Sequence, residues 1–583
     1  MNNIPLWIFA AGCTSPGVVL SAGPTSTAGD TGATADTDGP SDTSSDSGGD
    51  DSAAVVSADF PGSIDCGDEG AGVVAMQNTG TATWTRDGGY KLGAVDDSDP
   101  FYRADTRVWL PEDATVPPGE SWTFDVPMEG PTSAGTYTTD WRMVKEGEHW
   151  FGSTASADVA VTCNVPVPRT GAVRLEGSVL TDDDGPFNAL GATLFWAAWG
   201  YRNDRAKLER NLATLQAAGF DYIRALGVVG DPYGEDSWDG LEIEYGWSDY
   251  EEVIAGLTDL AYDTYGLRVE WTLIGDGQVA VPSSGEKYGL ADRFLEMSVG
   301  REDKIIHFEI ANEFWQNGFE GDEGLAELRD LTWYMNERTD ILVASSAPAG
   351  HDCDSIEAVY AGGLADVATI HFDRDTSTIE SGWQPVRQPW GLVDCADVPP
   401  GSNNEPIGPG SSVASEDDPE ILAAAAIATS VSNVPFYVFH SSAGVRGEED
   451  ISAMSGYDAF VHVRDLVPAD LVGWQRADGS DPSAPFQPFA EDSSGVSHPD
   501  TMWTDLPDPA AGAVRVYSGV DGNSFFTFPF GILNHLRLDA RRDLEYTAWD
   551  PLTGGEVASG RLVAGQRITI EGYRSMVVRG TFE

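Results

Sequence analysis

Residues 305–313 carry the sequence IIHFEIANE. The first seven residues are mostly apolar and β-branched or aromatic, which predicts a buried β-strand over 305–311. Two polar residues, Asn312 and Glu313, follow at the point where this strand ends. Parallel strands that are buried on both faces have such nearly continuous apolar runs, so the stretch favours a parallel sheet.

Seven further strand-like runs surround this one, and amphipathic helical segments alternate with them between residues 170 and 465. Alternating strands and helices form βαβ units, and eight units in ~300 residues have the size of a (β/α)8 TIM barrel. A doubly wound open sheet is the alternative, but no Gly-rich phosphate loop follows the first strand. The predicted strands cover 189–196, 222–228, 268–274, 305–311, 341–345, 367–372, 403–407 and 435–439, and the predicted helices cover 204–218, 250–265, 290–299, 324–338, 356–362 and 420–432.

The segments outside the barrel have different compositions. Residues 14–55 are rich in Ser, Thr, Asp and Gly, which is typical of a disordered linker. Residues 56–165 contain short alternating runs with no helical period, which predicts a β-sandwich. Residues 510–583 are also strand-like and predict a small C-terminal β-sandwich, so the 583-residue chain is expected to be multidomain.

The net charge is −61, from 94 acidic and 33 basic residues. This excess argues against nucleic acid as a partner, because phosphates require Lys and Arg for neutralisation. It also argues against an anionic membrane face or a highly acidic polymer, and it fits a soluble protein that acts on a neutral ligand. We expect a monomer that contacts a membrane only through a lipid anchor.

The N-terminus and the cysteines indicate export. A short apolar run at 4–11 and small residues before Cys13 resemble a bacterial lipoprotein cleavage box, so residues 1–13 are predicted to be a signal with Cys13 lipidated. The chain is then a cell-surface or outer-membrane lipoprotein; free secretion is the alternative. The other cysteines lack CxxC spacing, and they fall into two pairs within predicted domains: Cys66 with Cys163, and Cys353 with Cys395. Five free thiols in a cytosolic protein is the competing interpretation.

Catalytic groups of such barrels lie at the carboxyl ends of the strands. Two carboxylates on one rim suit glycosidic bond cleavage, with one protonated and the other ionised. An arginine beside the ionised carboxylate lowers its pKa, and tryptophans at the rim stack on sugar rings. The residues in these positions are Arg224, Asn312, Glu313, His371, Glu405 and His440, with the tryptophans Trp196, Trp199, Trp238, Trp247, Trp271, Trp315 and Trp383, about half of which are expected in the core.

With these residues in place, the barrel resembles the clan A glycoside hydrolases of the cellulase and mannanase type. The resemblance implies that Glu313 is the acid/base and Glu405 the nucleophile of a retaining double displacement on a β-linked glycan. It also implies that Arg224, Asn312 and His371 contact the substrate. The rim residues Trp196, Trp315 and His440 are further candidates for substrate contact. Only eight histidines are present and none has HExxH or HxxEH spacing, so we expect no metal or cofactor. The segment before Glu405 is polar, so Asp373 and Glu416 are alternative nucleophiles.

The N-terminal sandwich resembles the Ig-like domain first described in the next-to-BRCA-one autophagy receptor. This resemblance implies a spacer or binding accessory. It is carried by Asn78-Thr79-Gly80, Trp84, Tyr90-Lys91-Leu92, Pro118-Gly119-Glu120, Pro131, Ala134-Gly135-Thr136-Tyr137, Trp141-Arg142-Met143 and Phe151-Gly152.

Two other functions stay open at this point. One is a non-catalytic surface protein that binds glycans or mediates adhesion on a degenerate barrel. The other is an envelope protein whose barrel handles peptidoglycan.

Overall fold

The structure is a computed structural model that describes most of the chain from residue 50 onward. The described residues are 50–65, 69–101, 106–131, 135–162, 168–230, 238, 240–275, 281, 283–372, 374, 383–411, 415–477, 484–492, 497–499, 515–531, 533–571 and 575–583. Predictions on the signal, on the linker before residue 50, and on Cys13, Cys66, Cys163 and Asp373 therefore fall outside the described residues. The predicted end of the linker at residue 55 is too late, because residues 53–55 belong to the strand Ala53–Asp59.

The central part is a (β/α)8 barrel, which confirms the predicted fold. Its eight strands are parallel, and strand 1 pairs with both strand 2 and strand 8. A bridge between Ala344 and Val367 joins strands 5 and 6 and closes the ring. In chain order the barrel strands are Ala189–Thr193, Tyr222–Val228, Arg268–Ile274, Ile305–Ala311, Val343–Ser346, Ala368–Ile370, Gly401–Asn403 and Phe436–Phe439.

Helices cover the outside of the barrel, and local signals fix where they begin and end. Ser283 and Glu286 form a capping box at the start of one helix, and Gly266 ends another in the left-handed conformation. The α-helices are Ala197–Asn203, Arg205–Ala217, Tyr250–Tyr265, Ser284–Ser298, Gly321–Asn336, Cys353–Tyr360, Trp383–Val386, Pro419–Val431, Ser442–Arg446 and Val463–Leu466, and the 3-10 helices are Val95–Asp97, Gln388–Asp394, Ile451–Ala453 and Leu471–Gly473.

The N-terminal region is a β-sandwich. One sheet contains Ala53–Asp59, Glu69–Asn78 and Ser121–Glu129, and the other contains Ser63–Asp65, His149–Thr162, Gly135–Lys145, Tyr90–Ala94 and Arg107–Trp109. Two further strands, Trp84–Thr85 and Thr115–Val116, pair with each other. Trp84 and Trp141 are fully buried between the sheets, so these tryptophans form the core of the domain.

Two sheets form the C-terminal region, which begins earlier than the predicted residue 510. The six-stranded sheet contains Gln475–Arg476, Arg515–Asp521, Ser524–Phe530, Val577–Phe582, Leu544–Trp549 and Glu556–Leu562, and the four-stranded sheet contains Ser497–Pro499, Phe486–Asp492, Leu533–Ala540 and Arg567–Glu571. A small sheet of Arg174–Glu176, Val179–Asp182 and Gly185–Phe187 precedes the barrel.

The six-stranded sheet packs against the barrel. Trp390 stacks on Tyr517 with 4.0 Å between the ring centroids. The helix Pro419–Val431 is buried along nearly its whole length, and it packs on the barrel and on this sheet. A helix that is covered on several sides is apolar all round, which explains its run of alanines.

Cys353 and Cys395 form a disulfide with 4.9 Å between their Cα atoms. This confirms one of the two predicted pairs. Within the described residues, every helix is too short or too polar to cross a bilayer.

Candidate active site

The carboxyl ends of the barrel strands surround a cleft of about 260 Å³. Its lining includes both predicted catalytic carboxylates together with Asn312, His440 and Arg374. Phe195 and Trp238 add aromatic walls. The structure thus brings together residues that follow the fourth, sixth, seventh and eighth strands.

Arg224 on strand 2 organises the floor of this cleft. Its side chain is fully buried. Nη1 donates to Glu405 Oε1 at 2.8 Å, and Nη2 donates to Glu309 Oε2 at 2.7 Å and to Asn312 Oδ1 at 2.9 Å. A planar guanidinium can hold several acceptors at fixed angles, so Arg224 positions the carboxylates from below.

Glu405 is held by a second arginine as well. Arg374 Nη2 donates to Glu405 Oε2 at 2.8 Å, and Arg374 Nη1 donates to the Glu405 backbone carbonyl. Burial raises the pKa of the Glu405 carboxyl, but the surrounding positive charge outweighs burial and holds the pKa well below its usual range; the groups responsible are His371, Arg374 and Arg224. Glu405 is therefore ionised at neutral pH.

Glu313 has an unusual backbone conformation. Its φ is 43°, in the left-handed region that residues other than glycine rarely adopt. The amide of Phe314 donates to Ser346 Oγ at 2.9 Å, and Asn317 Nδ2 donates to the Asn312 carbonyl at 2.6 Å. These bonds hold the turn that aims Glu313 into the cleft, and backbone strain of this kind concentrates at functional sites.

His371 connects the two carboxylates. Its Nδ1 lies 3.1 Å from Glu313 Oε1, and its Nε2 lies 3.5 Å from Glu405 Oε1. Gln316 Nε2 donates to the other oxygen of Glu313. The two carboxylate oxygens of Glu313 are thus oriented by His371 and Gln316, which lie in two different loops.

The two carboxylates are close to each other. One ligand atom from each of Glu313, His371 and Glu405 lies within 4.8 Å of the other two. These three side chains could hold a metal ion, but Arg224 and Arg374 already occupy Glu405 and would repel a cation. The chemistry of the donor set therefore favours a pair of carboxyl groups that acts on a ligand directly.

Further carboxylates lie below this layer. Glu309 Oε2 accepts from Thr272 Oγ1 at 2.6 Å, and Glu309 Oε1 accepts from Asn404 Nδ2 at 3.1 Å. Burial raises the pKa of Glu309, but the charge of Arg224 outweighs this and lowers it. Glu270 lies 3.2 Å from Arg224 Nε, so this single arginine faces three buried carboxylates.

His440 ends strand 8 beside the nucleophile candidate. Its Nδ1 lies 3.0 Å from Thr193 Oγ1, and its Nε2 lies 3.9 Å from Glu405 Oε2. Burial, aided by the neighbouring arginines and His371, lowers the pKa of His440 to about 3 against the attraction of Glu405. His440 is thus a neutral imidazole in the folded protein at neutral pH.

Some predicted residues lie elsewhere. Trp196 is only 1% exposed and its indole N–H donates to the Ala443 carbonyl at 2.9 Å, which contradicts the expectation that this ring faces a ligand. Trp271 is also buried in the core, whereas Trp315 is 39% exposed beyond Glu313. Glu416 accepts from the amides of Asp417 and Asp418 just before the helix Pro419–Val431, so its carboxylate is engaged outside the cleft.

Among the described side chains that contact the carboxylate of Glu313 or Glu405, Arg374 and Gln316 are the two that the sequence did not indicate. Arg374 stands four residues after the end of strand 6, and Gln316 three residues after Glu313. The sequence signal that could have identified them is their position shortly after a barrel strand, because the loops that follow the strands carry the catalytic and binding residues of such barrels.

Comparisons with known proteins support this architecture. The family model described as the Ig-like domain from next to BRCA1 gene matches residues 67–161, which confirms the predicted N-terminal domain. A solved structure described as a glycoside hydrolase is 12% identical, with a TM-score of 0.50, and the match covers 71% of this chain and 97% of that one. At such identity the likeness establishes the fold of the barrel.

Other similar structures have lower scores. A glycoside hydrolase family 5 protein from Bacteroides vulgatus is 13% identical with a TM-score of 0.49, over 72% of this chain and 95% of that one. A family 5 xyloglucanase from Bacteroides ovatus, solved with a heptasaccharide, is 10% identical with a TM-score of 0.32, over 71% of this chain and all of that one. No curated protein sequence matches this chain.

Proposed function

We propose that the protein is a retaining glycoside hydrolase that cleaves a β-linked glycan. The observation that carries this proposal is the pair Glu313 and Glu405, with one oxygen of each within 4.8 Å of the other at the carboxyl ends of strands 4 and 7. Retaining enzymes place their carboxyl groups ~5–5.5 Å apart, whereas inverting enzymes need ~6.5–9.5 Å to admit a water molecule. The separation favours direct attack by one carboxylate.

The electrostatics of the cleft support different roles for the two carboxyl groups. Nucleophilic attack on the anomeric carbon needs an ionised carboxylate, and Arg224 and Arg374 keep Glu405 in that form. Protonation of the departing glycosidic oxygen needs the other carboxyl group, which leaves Glu313 as the acid. Both groups lie in one cleft, so a sugar bound there meets them together.

The reaction then has two steps. Glu405 attacks the anomeric carbon while Glu313 transfers its proton to the leaving oxygen, which gives a covalent glycosyl-enzyme. Glu313, now ionised, takes a proton from water, and the resulting attack on the anomeric carbon releases Glu405 and the sugar with retained configuration. His371 contacts Glu313 in the structure, and it is placed to orient this carboxyl group in both steps.

Asn312 has a separate proposed role. Its Oδ1 accepts from Arg224, so the orientation of the side-chain amide is fixed and its Nδ2 is directed away from the arginine. We assign this amide to the 2-hydroxyl of the bound sugar, where hydrogen bonds strengthen in the oxocarbenium-like transition state.

The test is hydrolysis of a panel of aryl β-glycosides and polysaccharides by the full chain. Glu313→Gln should lower kcat/KM by about 10²–10⁴-fold because it removes the general acid. Glu405→Gln should abolish turnover. Glu416→Gln, a glutamate outside the cleft, is the matched control and should keep wild-type rates.

Two results would change the proposal. A wild-type protein that binds glycans and cleaves none of them would support the non-catalytic alternative. Turnover that survives Glu405→Gln would remove the nucleophile assignment, whatever the effect of Glu313→Gln.

We also propose that the protein is exported and anchored through Cys13. The Cys353–Cys395 disulfide supports this proposal, because such bonds persist in oxidising compartments. We expect a fatty-acid analogue to label the wild type and not Cys13→Ala. Equal labelling of the two proteins would contradict the proposed anchor.

A further inference from the structure

A second, larger groove lies between the barrel and the C-terminal region. Its volume is about 910 Å³, against about 260 Å³ for the catalytic cleft. One wall is the segment from Pro468 to Trp474, and the floor is the six-stranded sheet. The residues that matter here are Asp470, Trp474, Glu545, Thr547, Trp549 and Arg579.

Strand register shows that the floor is one continuous face. Thr547 lies opposite Arg579 on one neighbouring strand and opposite Ser559 on the other. Residues two apart on a strand share a face, so Glu545 and Trp549 point to the same side as Thr547. Trp549 packs against the barrel core, so this face of the sheet is the one that faces the barrel. Beyond Trp549 the same face carries the polar side chains of Thr547 and Glu545.

The groove lies at the opposite end of the barrel from the catalytic cleft. Asn188, directly before strand 1, donates from Nδ2 to the Pro468 carbonyl at 2.8 Å. Asn433, shortly before strand 8, donates from Nδ2 to the Val472 carbonyl at 2.6 Å. The wall is thus tied to the amino ends of the strands, whereas Glu313 and Glu405 lie at their carboxyl ends. A ligand in this groove would bind independently of the cleft.

The chemistry of the lining suits a carbohydrate. Trp474 and Trp549 are partly exposed, and the indole N–H of Trp474 donates to Asp470 Oδ1 at 3.0 Å, which fixes that ring. Aromatic rings can cover the C–H faces of sugars, and here two partly exposed rings line one groove.

Polar groups for sugar hydroxyls stand beside these rings. Arg579 Nη1 donates to the carbonyls of Asp465 and Leu466, at 3.1 and 3.3 Å. Within the part of the chain that the structure describes, Nε and Nη2 of Arg579 have no hydrogen-bond partner. Thr547 and the exposed Glu545 add a hydroxyl and a carboxylate on the same face.

We infer that this groove is a separate binding site for a neutral polysaccharide chain. Both signs of charge are present in the groove, and a chain with a net charge of −61 repels polyanions, so an uncharged glycan is the occupant. The choice of ligand rests on the proposed hydrolase function. Binding here would hold the enzyme on the polymer that the cleft cleaves.

The experiment measures binding and hydrolysis separately in the full chain. Binding to hydroxyethylcellulose, galactomannan and arabinoxylan is measured by affinity electrophoresis in the Glu405→Gln background, which prevents cleavage. Thr547→Arg fills the groove and Trp474→Ala removes a ring. Thr569→Arg, at an exposed position of the other C-terminal sheet, is the matched control.

We expect Thr547→Arg and Trp474→Ala each to weaken polysaccharide binding by about tenfold or more, the equivalent of ~1.4 kcal/mol. Thr569→Arg should bind like its parent. With Glu405 intact, all three variants should hydrolyse aryl glycosides at wild-type rates, because these short substrates need only the cleft.

The outcomes separate the two proposals. Unchanged binding by both groove variants, or no binding of any polysaccharide by a protein that cleaves aryl glycosides, overturns the groove site and leaves the hydrolase proposal standing. Groove-dependent binding by a protein that cleaves nothing overturns the hydrolase proposal and supports the groove site.

Discussion

Replacement of Arg224 by methionine removes the one cation that faces three buried carboxylates. In the wild type its guanidinium lies 2.8 Å from Glu405, 2.7 Å from Glu309 and 3.2 Å from Glu270. Methionine has a comparable length and fills the space, so the main effect is electrostatic. Glu309 and Glu270 are completely buried, so Glu309 loses its cation and Glu270 keeps only His307, whose Nε2 lies 3.4 Å away.

The magnitude follows from this geometry. Loss of one partner of a buried ion pair costs about 3–5 kcal/mol. For a barrel of ~300 residues that unfolds with ~2.1 cal/mol/K per residue, this lowers the melting temperature by about 5–8 °C. Thermal unfolding of the full chain, followed by barrel tryptophan fluorescence, measures the shift.

The variant should also change the pH dependence of activity. The pKa of Glu405 is depressed in the folded protein, so its ionised form is stable at neutral pH and is lost as the pH falls through that pKa. Without Arg224 the pKa rises, although Arg374 still holds the other oxygen. The acid limb of the kcat/KM profile should therefore move to higher pH, by about one unit for each ~1.4 kcal/mol of lost interaction.

A matched control separates burial from charge. Arg210→Met removes an exposed arginine that pairs with Asp450 at 3.1 Å, and it should cost less than ~1 kcal/mol. The double variant Arg224→Met/Glu309→Leu should recover part of the lost stability, because it removes one of the stranded charges. If Arg224→Met melts at the wild-type temperature with an unshifted acid limb, Arg224 neither compensates the buried carboxylates nor sets the ionisation of Glu405.

Two further predictions concern packing and covalent support. A Cβ on Gly408 would lie 1.8 Å from the His440 carbonyl oxygen, so Gly408→Ala should lower the free energy of unfolding by at least about 1–3 kcal/mol and lower kcat by displacing His440. Gly289→Ala is the control, because its Cβ would meet nothing within 4 Å in its helix, and it should be neutral or stabilising by ~0.5–1 kcal/mol. Urea titrations measure both free energies of unfolding. Equal stability of the two variants would contradict this. The Cys353–Cys395 bond spans 42 residues, and loop closure predicts that reduction costs up to about 4 kcal/mol; an unchanged melting temperature with and without reductant would show that the bond adds nothing.

The barrel was predictable because most of its strands are apolar runs, which identify a buried strand without knowledge of its neighbours. Strands Tyr222–Val228 and Ile305–Ala311 match the predicted 222–228 and 305–311 residue for residue. Both are buried on two faces, and such strands consist of nearly continuous apolar runs. The amphipathic helix Tyr250–Tyr265 is also correct at both ends, where Gly266 stops it.

Strand 7 was harder to predict, because its short segment Gly401–Asn403 is polar. The segment is stabilised by partners that are distant in sequence. Asn403 donates from Nδ2 to Thr429 Oγ1 at 3.0 Å, and the backbone of Asn403 pairs with that of Ile370. Local sequence periodicity does not depend on such distant partners and cannot reveal them. The predicted strand 403–407 therefore begins two residues too late and extends past Glu405.

Among the residues around the two carboxylates, those at strand ends were predictable from the sequence and those in loops were not. Arg224 and Asn312 lie on or directly after predicted strands, and the structure places them where barrel geometry requires. Arg374 lies in a loop, where the path of the chain depends on tertiary contacts. The sequence predicts Trp196 at the rim although the ring is buried, because sequence alone does not distinguish a ring that binds a ligand from one that fills the core.

In the proposed mechanism Glu405 forms a covalent bond to the sugar while Glu313 transfers protons. The most direct measurement is mass spectrometry of peptides after incubation of the protein with the 2-deoxy-2-fluoro analogue of an aryl glycoside that it cleaves. The mechanism predicts a single glycosyl group on the peptide that contains Glu405, with no label in Glu405→Gln. A label on another carboxylate, or release of inverted product with no labelled peptide, would contradict it.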